Sequence, residues 1–299
     1  AMRKLMGRGD PRDLPDYGRA AAAAWVARTA APIAPSVTVR PLGGGHPGHE
    51  IVPPGGGART LFYIHGGGLV YYDSGVFLPF LATLAHDADL RILAFDYPKA
   101  PETETPVILA SLEAALAAAL ERTLARRPGG DILIAGDSVG GLLALVFALG
   151  PLEGRFSEAH LIYPVAGAPA DYERAYGQGH FLDESLMLWF RGFIAPLFDA
   201  LGGAPVDLPS ETLRRLPPVT IHVAACDILR EEGLALASRC RDAGVLRQLV
   251  EHAGLPHDFA LYGKAVPAAA DGIAVIAEAL IVEGLTRGRE PASAPDALE

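Results

Sequence analysis

Cysteine is almost missing from this chain: there are two, Cys226 and Cys240, in 299 residues. One sits at the end of an expected strand and the other in the helix after it. They form no disulfide framework and fit a reducing compartment. No cysteine pair or histidine cluster has metal-site spacing, so no metal site is expected. Basic charge is short as well: 25 Lys and Arg face 35 Asp and Glu, a net charge of −10, with a pI near 5.4. That balance argues against nucleic acid and an anionic membrane surface as partners. No unbroken run of about 18 apolar residues occurs, so no transmembrane helix is expected. The alanine-rich stretch 20–27 follows Asp10, Asp13 and Asp16 rather than a basic leader. It reads as an amphipathic helix, not a secretion signal, and a cytoplasmic protein is the expectation. Ala1 ahead of Met2, and Leu298-Glu299, read as added residues and stay outside the fold reading.

What the chain has is apolar residues in alternating blocks. Half of it is hydrophobic, enough for one large core. Strands are expected at 36–40, 58–64, 90–95, 132–135, 159–163, 219–225 and 246–251. Helices are expected at 76–87, 105–127, 142–149, 184–198, 230–243 and 267–284. Such alternation predicts an α/β fold, a mostly parallel sheet with helices on both faces. No internal repeat is visible. The segment 168–216 breaks the rhythm: it has no strand, and its helical part carries Leu186, Trp189, Phe190, Phe193 and Leu197. It reads as an inserted helical cap over a cleft, or as one more packing helix. Residues 286–299 read as a disordered tail.

The most informative stretch is Gly136-Asp137-Ser138-Val139-Gly140-Gly141, set between an apolar strand and a helix. Strand, Gly-x-Ser-x-Gly, helix is a nucleophile elbow. The turn is so tight that the serine's flanking residues need to be nearly side-chain-free. It lifts the Ser138 hydroxyl above the sheet and aims the Val139 N–H at the same point. Alone the motif is common in plain turns, but its context narrows it. Residues 60–64 read as a strand ending in His65-Gly66-Gly67-Gly68, an oxyanion-type loop. Its Gly66 and Gly67 N–H groups are expected to point into the cleft. Gly43-Gly44-Gly45 and Gly55-Gly56-Gly57 read as flexible loops, with no strand in front of either.

A serine hydroxyl needs a base, and the base needs an acid to fix its tautomer. Asp227 follows the strand at 219–225 and His257 follows the next strand, both at carboxyl ends, where open α/β sheets place ligand sites. Asp227 alone reads equally well as a cap of the helix near Leu229. His222 and His252 lie in or at the end of strands and are not expected to reach the elbow. His65 is expected to fix its own loop, and Asp137 to anchor a loop facing away from the serine. Asp258 is the main rival for the acid role, but it adjoins His257.

On these motifs the chain resembles the hormone-sensitive-lipase-like esterases of the bacterial Gly-Asp-Ser-x-Gly subgroup. The matching residues are His65–Gly68, Asp96–Glu102, Gly136–Gly141, Leu216-Pro217-Pro218, Asp227–Gly233 and His257-Asp258-Phe259, and the similarity spans roughly 36–285. The resemblance implies an α/β-hydrolase fold with an eight-stranded sheet and no cofactor. It divides the chain into an N-terminal cap segment 1–36 and a catalytic domain 37–285 with the inserted cap at 168–216. It implies a Ser138, Asp227, His257 triad and oxyanion donors Gly66, Gly67 and Val139. A homodimer is compatible with it. Several residues depart from the usual pattern. Val139 replaces alanine and is expected to crowd the site. Lys99 and Asp258 are unusual, the latter where glycine is usual. Tyr71 and Tyr72 stand near the cleft where many relatives have smaller residues.

The expected activity is hydrolysis of short- to medium-chain acyl esters of small molecules. Tyr71, Tyr72, Trp189, Phe190 and Trp25 are candidates to line the pocket, or core residues. Related acyl chemistry is the alternative: deacetylation, thioester cleavage, acyl transfer or acyl elimination. A non-catalytic binding protein on the same fold is the third reading.

Overall fold

The computed structural model describes residues 15–167 and 182–281. The tail 286–299, the first part of the N-terminal segment and part of the inserted cap lie outside these. An eight-stranded sheet organises the chain, in the order β1-β2-β4-β3-β5-β6-β7-β8. The strands are β1 Thr38–Pro41, β2 Gly48–Val52, β3 Arg59–Ile64, β4 Leu90–Phe95, β5 Ile132–Asp137, β6 Glu158–Ile162, β7 Val219–Cys226 and β8 Leu246–Pro256. β2 runs antiparallel to β1 and β4, and every other pairing is parallel. The helices are α1 Pro15–Thr29, α2 Ser74–Asp87, α3 Thr105–Arg126, α4 Val139–Leu149, α5 Glu184–Leu201, α6 Ser210–Leu213, α7 Arg230–Asp242 and α8 Pro267–Ala279.

Every residue of β3 and β5 is buried. Successive strand residues face opposite sides, so both faces at the centre are covered. The α4 sequence VGGLLALVFAL has no polar face, and all of it is buried. A helix apolar all round belongs inside a core. Each of its large side chains contributes about 1.5–3 kcal/mol by leaving water. At the opposite end of the sheet Arg59 ties three elements together. It donates to Asp131 at 2.5 Å, to Glu158 at 2.7 Å and to the Leu280 carbonyl at 3.0 Å.

Several strand expectations are corrected. β2 was not foreseen, because its sequence GHEIV is half polar. Its buried Glu50 is answered by Arg40 at 2.6 Å and by Arg91. The glycine runs at 43–45 and 55–57 do have strands in front of them: they follow β1 and β2. β8 continues to Pro256, five residues past the expected end. The final helix ends at Ala279.

Among the described residues one stretch, Glu184–Asp207, is long and apolar enough to cross a membrane by length and composition. The sequence expectation counted only unbroken apolar runs, and this one is interrupted by Arg191 and Asp199. Its Phe190, Ile194 and Leu197 pack into the body of the protein.

The N-terminal helix is fastened above the carboxyl ends of the strands. Arg19 donates to the Val70 carbonyl at 2.8 Å, the Ala100 carbonyl at 2.9 Å and Glu102 at 2.7 Å. The backbone N–H of Lys264 donates to the Thr29 carbonyl at 2.9 Å. One helix thus touches the loops after β3, β4 and β8.

Candidate active site

Five of the six described non-glycine residues with positive φ lie at the carboxyl ends of strands: Leu69, Tyr72, Ser138, Tyr163 and Asp258. Backbone strain gathers at functional sites. Ser138, at φ 53° and ψ −122°, is the turn between β5 and α4. Its N–H donates to the Ile162 carbonyl at 2.9 Å. Glycine is required on either side of it. A Cβ on Gly136 would overlap the Gly140 carbonyl, and one on Gly140 would overlap that of Ile64.

β7 and β8 deliver the other two groups. His257 Nε2 lies 3.1 Å from Ser138 Oγ. Its Nδ1 lies 2.7 Å from Asp227 Oδ2. All three residues are buried. Asp227 also caps: its Oδ1 accepts the Leu229 N–H at 3.0 Å. The two readings of that residue are therefore one arrangement, with one oxygen holding the turn and the other the imidazole. Burial, the largest influence on His257, pushes its pKa down. The charges of Asp227 and Asp258 and the bond to Asp227 outweigh it and raise the value from 6.5 to about 9. His222 and His252 pair with each other at 3.1 Å, away from the serine.

The loop after β3 corrects one donor. The Gly66 N–H donates to Asp137 Oδ1 at 2.8 Å, so it is not free for an oxyanion. The register explains this: Ile64 pairs with Gly136, which sets Asp137 beside the first glycine of the loop. Tyr63 donates to the same oxygen at 2.5 Å. Burial, partly offset by the Tyr63 bond, raises the Asp137 pKa to about 7. Asp137 thus does anchor a loop, as expected. Gly67 and Gly68 follow at φ 100° and 63° and line the cleft with Ser138. A Cβ on Gly67 would strike the Tyr71 carbonyl, and one on Gly68 the Phe190 ring. Val139 heads α4, where a helix N–H has no intrahelical acceptor. Its side chain is fully buried and does not crowd the cleft.

His65 fixes its own loop. One ring nitrogen donates to the Gly66 carbonyl at 2.7 Å, and the other accepts from Lys99 at 3.0 Å. Burial and the Lys99 charge hold it well below the usual histidine range, hence neutral. Burial pushes Lys99 itself down to about 8, against the charges of Asp96 and Asp73.

These loops border a cleft of about 460 Å³, the open space at its mouth included. Among the described residues Tyr71, Tyr72, Phe190, Leu186 and Met187 line it together with Ser138 and His257. Two of the aromatic candidates do not. Trp189 packs behind the wall, against Phe190 at 5.4 Å and Phe193 at 5.3 Å. Trp25 lies near Arg28. Asp258, weighed from the sequence as a rival acid and noted as standing where glycine is usual, does not hold the imidazole Nδ1, which pairs with Asp227. Asp258 instead lines the cleft, accepts from Tyr72 at 3.2 Å and stands 3.6 Å from His257 Nε2. Its departure from glycine was the available signal.

A family model described as alpha/beta hydrolase fold matches residues 61–261, the stretch holding Ser138, Asp227, His257 and the glycine loop. The chain belongs to the α/β-hydrolase family. Within this family it is similar to ethyl acetate hydrolase from Pseudomonas putida, 31% identical over 231 residues, which are 74% of this chain and 72% of that protein. It is also 31% identical to carboxylic ester hydrolase LipN from Mycobacterium tuberculosis, over 71% of this chain and 60% of that one. Among solved α/β-hydrolases, a thermostable esterase from Pseudomonas putida superposes with a TM-score of 0.80 at 26% identity, covering 93% of this chain and 94% of that one. The hormone-sensitive-lipase-like resemblance and the eight-stranded hydrolase fold are both borne out.

Proposed function

We propose that this chain is a serine carboxylic-ester hydrolase acting on short- to medium-chain acyl esters. The observation that carries the reading is the chain of two bonds, Ser138 Oγ to His257 Nε2 at 3.1 Å and Nδ1 to Asp227 at 2.7 Å. The relatives' names point to the same reaction class. Ser138 Oγ bonds to the acyl carbon, and its proton passes to His257. The carbonyl electrons move onto oxygen, where the N–H groups of Gly67, Gly68 and Val139 receive the charge. When the tetrahedral adduct collapses, the C–O bond to the alcohol breaks and the His257 proton goes to that oxygen. Water, deprotonated by the same histidine, then cleaves the acyl-enzyme to the free acid.

Asp227 keeps Nδ1 protonated and Nε2 free to accept, and stabilises the imidazolium. Each oxyanion donor is worth about 10²–10³ in turnover. The segment carrying α5 acts as part of a cap, since its Phe190 and Met187 line the same cleft as the serine.

Ser138→Ala should abolish turnover of p-nitrophenyl acetate and butyrate and prevent labelling by a fluorophosphonate. A variant that keeps most of its activity overturns the assignment. Wild-type protein that neither turns over nor labels supports the binding-protein reading instead.

A further inference from the structure

Asp258 neither gives nor takes an atom in the reaction just described, yet it stands beside the base, 3.6 Å from His257 Nε2. Its backbone is left-handed, at φ 60° and ψ 17°. A side chain there costs energy that glycine, the usual residue after this histidine by resemblance, would not. The carboxylate opens into the cleft rather than onto the surface, with 13% of the side chain exposed. Oδ2 accepts the Tyr72 hydroxyl. Oδ1 has no lysine or arginine at ion-pair distance; among the described residues only His257 stands that near. While His257 is neutral and acting as base, the carboxylate has no counter-charge. The rest of that wall is apolar and aromatic, with Tyr71 and Tyr72 in contact at 6.4 Å between ring centroids. A largely buried carboxylate among aromatic rings in a cleft is the chemistry that receives a cation.

Geometry gives the cation's place in the substrate. The leaving oxygen takes its proton from His257 Nε2, so it sits within hydrogen-bond reach of that atom. Asp258 Oδ1 is 3.6 Å from the same nitrogen. The alcohol half of the ester therefore lies against Asp258, and the acyl half lies elsewhere. We propose that the preferred substrates are esters of amino alcohols, with a cationic nitrogen about two or three atoms beyond the ester oxygen and Asp258 as its counter-ion. This rests on the ester-hydrolase reading and narrows it to a substrate class. The products are a free acid and a cationic amino alcohol.

The test compares two esters of one shape. Choline acetate carries the cation, and 3,3-dimethylbutyl acetate replaces the nitrogen by carbon. 2-(Dimethylamino)ethyl acetate adds a protonated tertiary amine, which separates an ammonium donor from a quaternary one. Both isosteres use the same His257, so its titration cancels in the ratio of their kcat/KM values. In the wild type that ratio should be about tenfold or more in favour of the cation, and in Asp258→Asn it should fall close to one. Asp258→Gly, which restores the residue usual at a left-handed position, should do the same and guards against a folding defect in the first variant. Choline should inhibit p-nitrophenyl acetate hydrolysis more strongly than 3,3-dimethylbutanol does in the wild type, and equally in both variants. A wild-type ratio of one or below, or a ratio the variants leave intact, overturns the proposal while p-nitrophenyl acetate turnover still supports the hydrolase. Loss of all ester turnover in the wild type would overturn the hydrolase reading itself.

Discussion

Replacing Asp258 should shift the pH at which the enzyme gains activity, and the structure sets the size of the effect. His257 must be neutral to accept the serine proton. Its pKa of about 9 makes kcat/KM climb with pH up to about that value. Burial alone would push the histidine the other way, so neighbouring charge sustains the rise. Asp258 Oδ1 contributes from 3.6 Å. At an effective dielectric of about 20, two unit charges near 4 Å interact by roughly 4 kcal/mol, an upper bound equivalent to about three pKa units. The Tyr72 bond spreads that charge and solvent reaches part of it, which leaves about one unit or more. Asp258→Asn and Asp258→Gly should therefore lower the acid-limb midpoint of kcat/KM by at least about one pH unit, read with p-nitrophenyl acetate across about pH 5–10. Activity near neutrality rises accordingly, provided the serine–histidine contact survives. A midpoint that does not move would mean the carboxylate does not act on the imidazole, and the electrostatic account of the site would fail.

Gly67→Ala and Gly68→Ala should each lower kcat by about 10²–10³ with little change in the far-ultraviolet spectrum, whereas Gly43→Ala, where a Cβ meets nothing, should leave kinetics at wild-type values. Asp137→Ala leaves the Tyr63 hydroxyl and the Gly66 N–H buried without a partner; at about 1–3 kcal/mol for each, thermal melting should fall by several degrees and turnover with it. Glu158 is held down to about 2: burial pushes it up, but the His160 bond and the charges of Arg59 and Arg247 outweigh that. Its folded pKa lies below the ordinary 4.5, so the stability it supplies is present above that pH and lost as pH falls through about 2. Glu158→Gln should melt earlier than wild type at pH 7, and the gap should close steadily as the solution is acidified. A gap independent of pH would refute the linkage.

The central strands and the serine turn were legible because their physics is local. β5 is an uninterrupted apolar run stopped by glycine, and no neighbour is needed to read it. β2 was invisible because Glu50 reads as surface until Arg40 and Arg91, from two other strands, are seen to surround it. The end of β8 was hidden by Gly254 and Pro256, which usually mark loops. The Gly66 error has the same origin. Which N–H of three successive glycines is free depends on Asp137, brought alongside by strand register rather than by sequence. Trp189 was left open between pocket and core: it packs against Phe190 and Phe193, while Phe190 next to it lines the cleft. Asp258 was visible as an oddity, and only its distance from His257 gives it a role.

The two sides of the cleft are built from different materials. On the reacting side, backbone amides, Asp137, His65 and Lys99 are bonded to one another across several strands, so a change to one disturbs the rest. The wall supplied by α5 is hydrocarbon and aromatic carbon with no polar partner to lose. Substitutions at Leu186 or Met187 thus reshape the cleft while leaving the bonded groups opposite in place, whereas Phe190 lies against Gly68 and is tied to the oxyanion loop. A single helix is the natural place for this scaffold to diversify, whether by descent or by design.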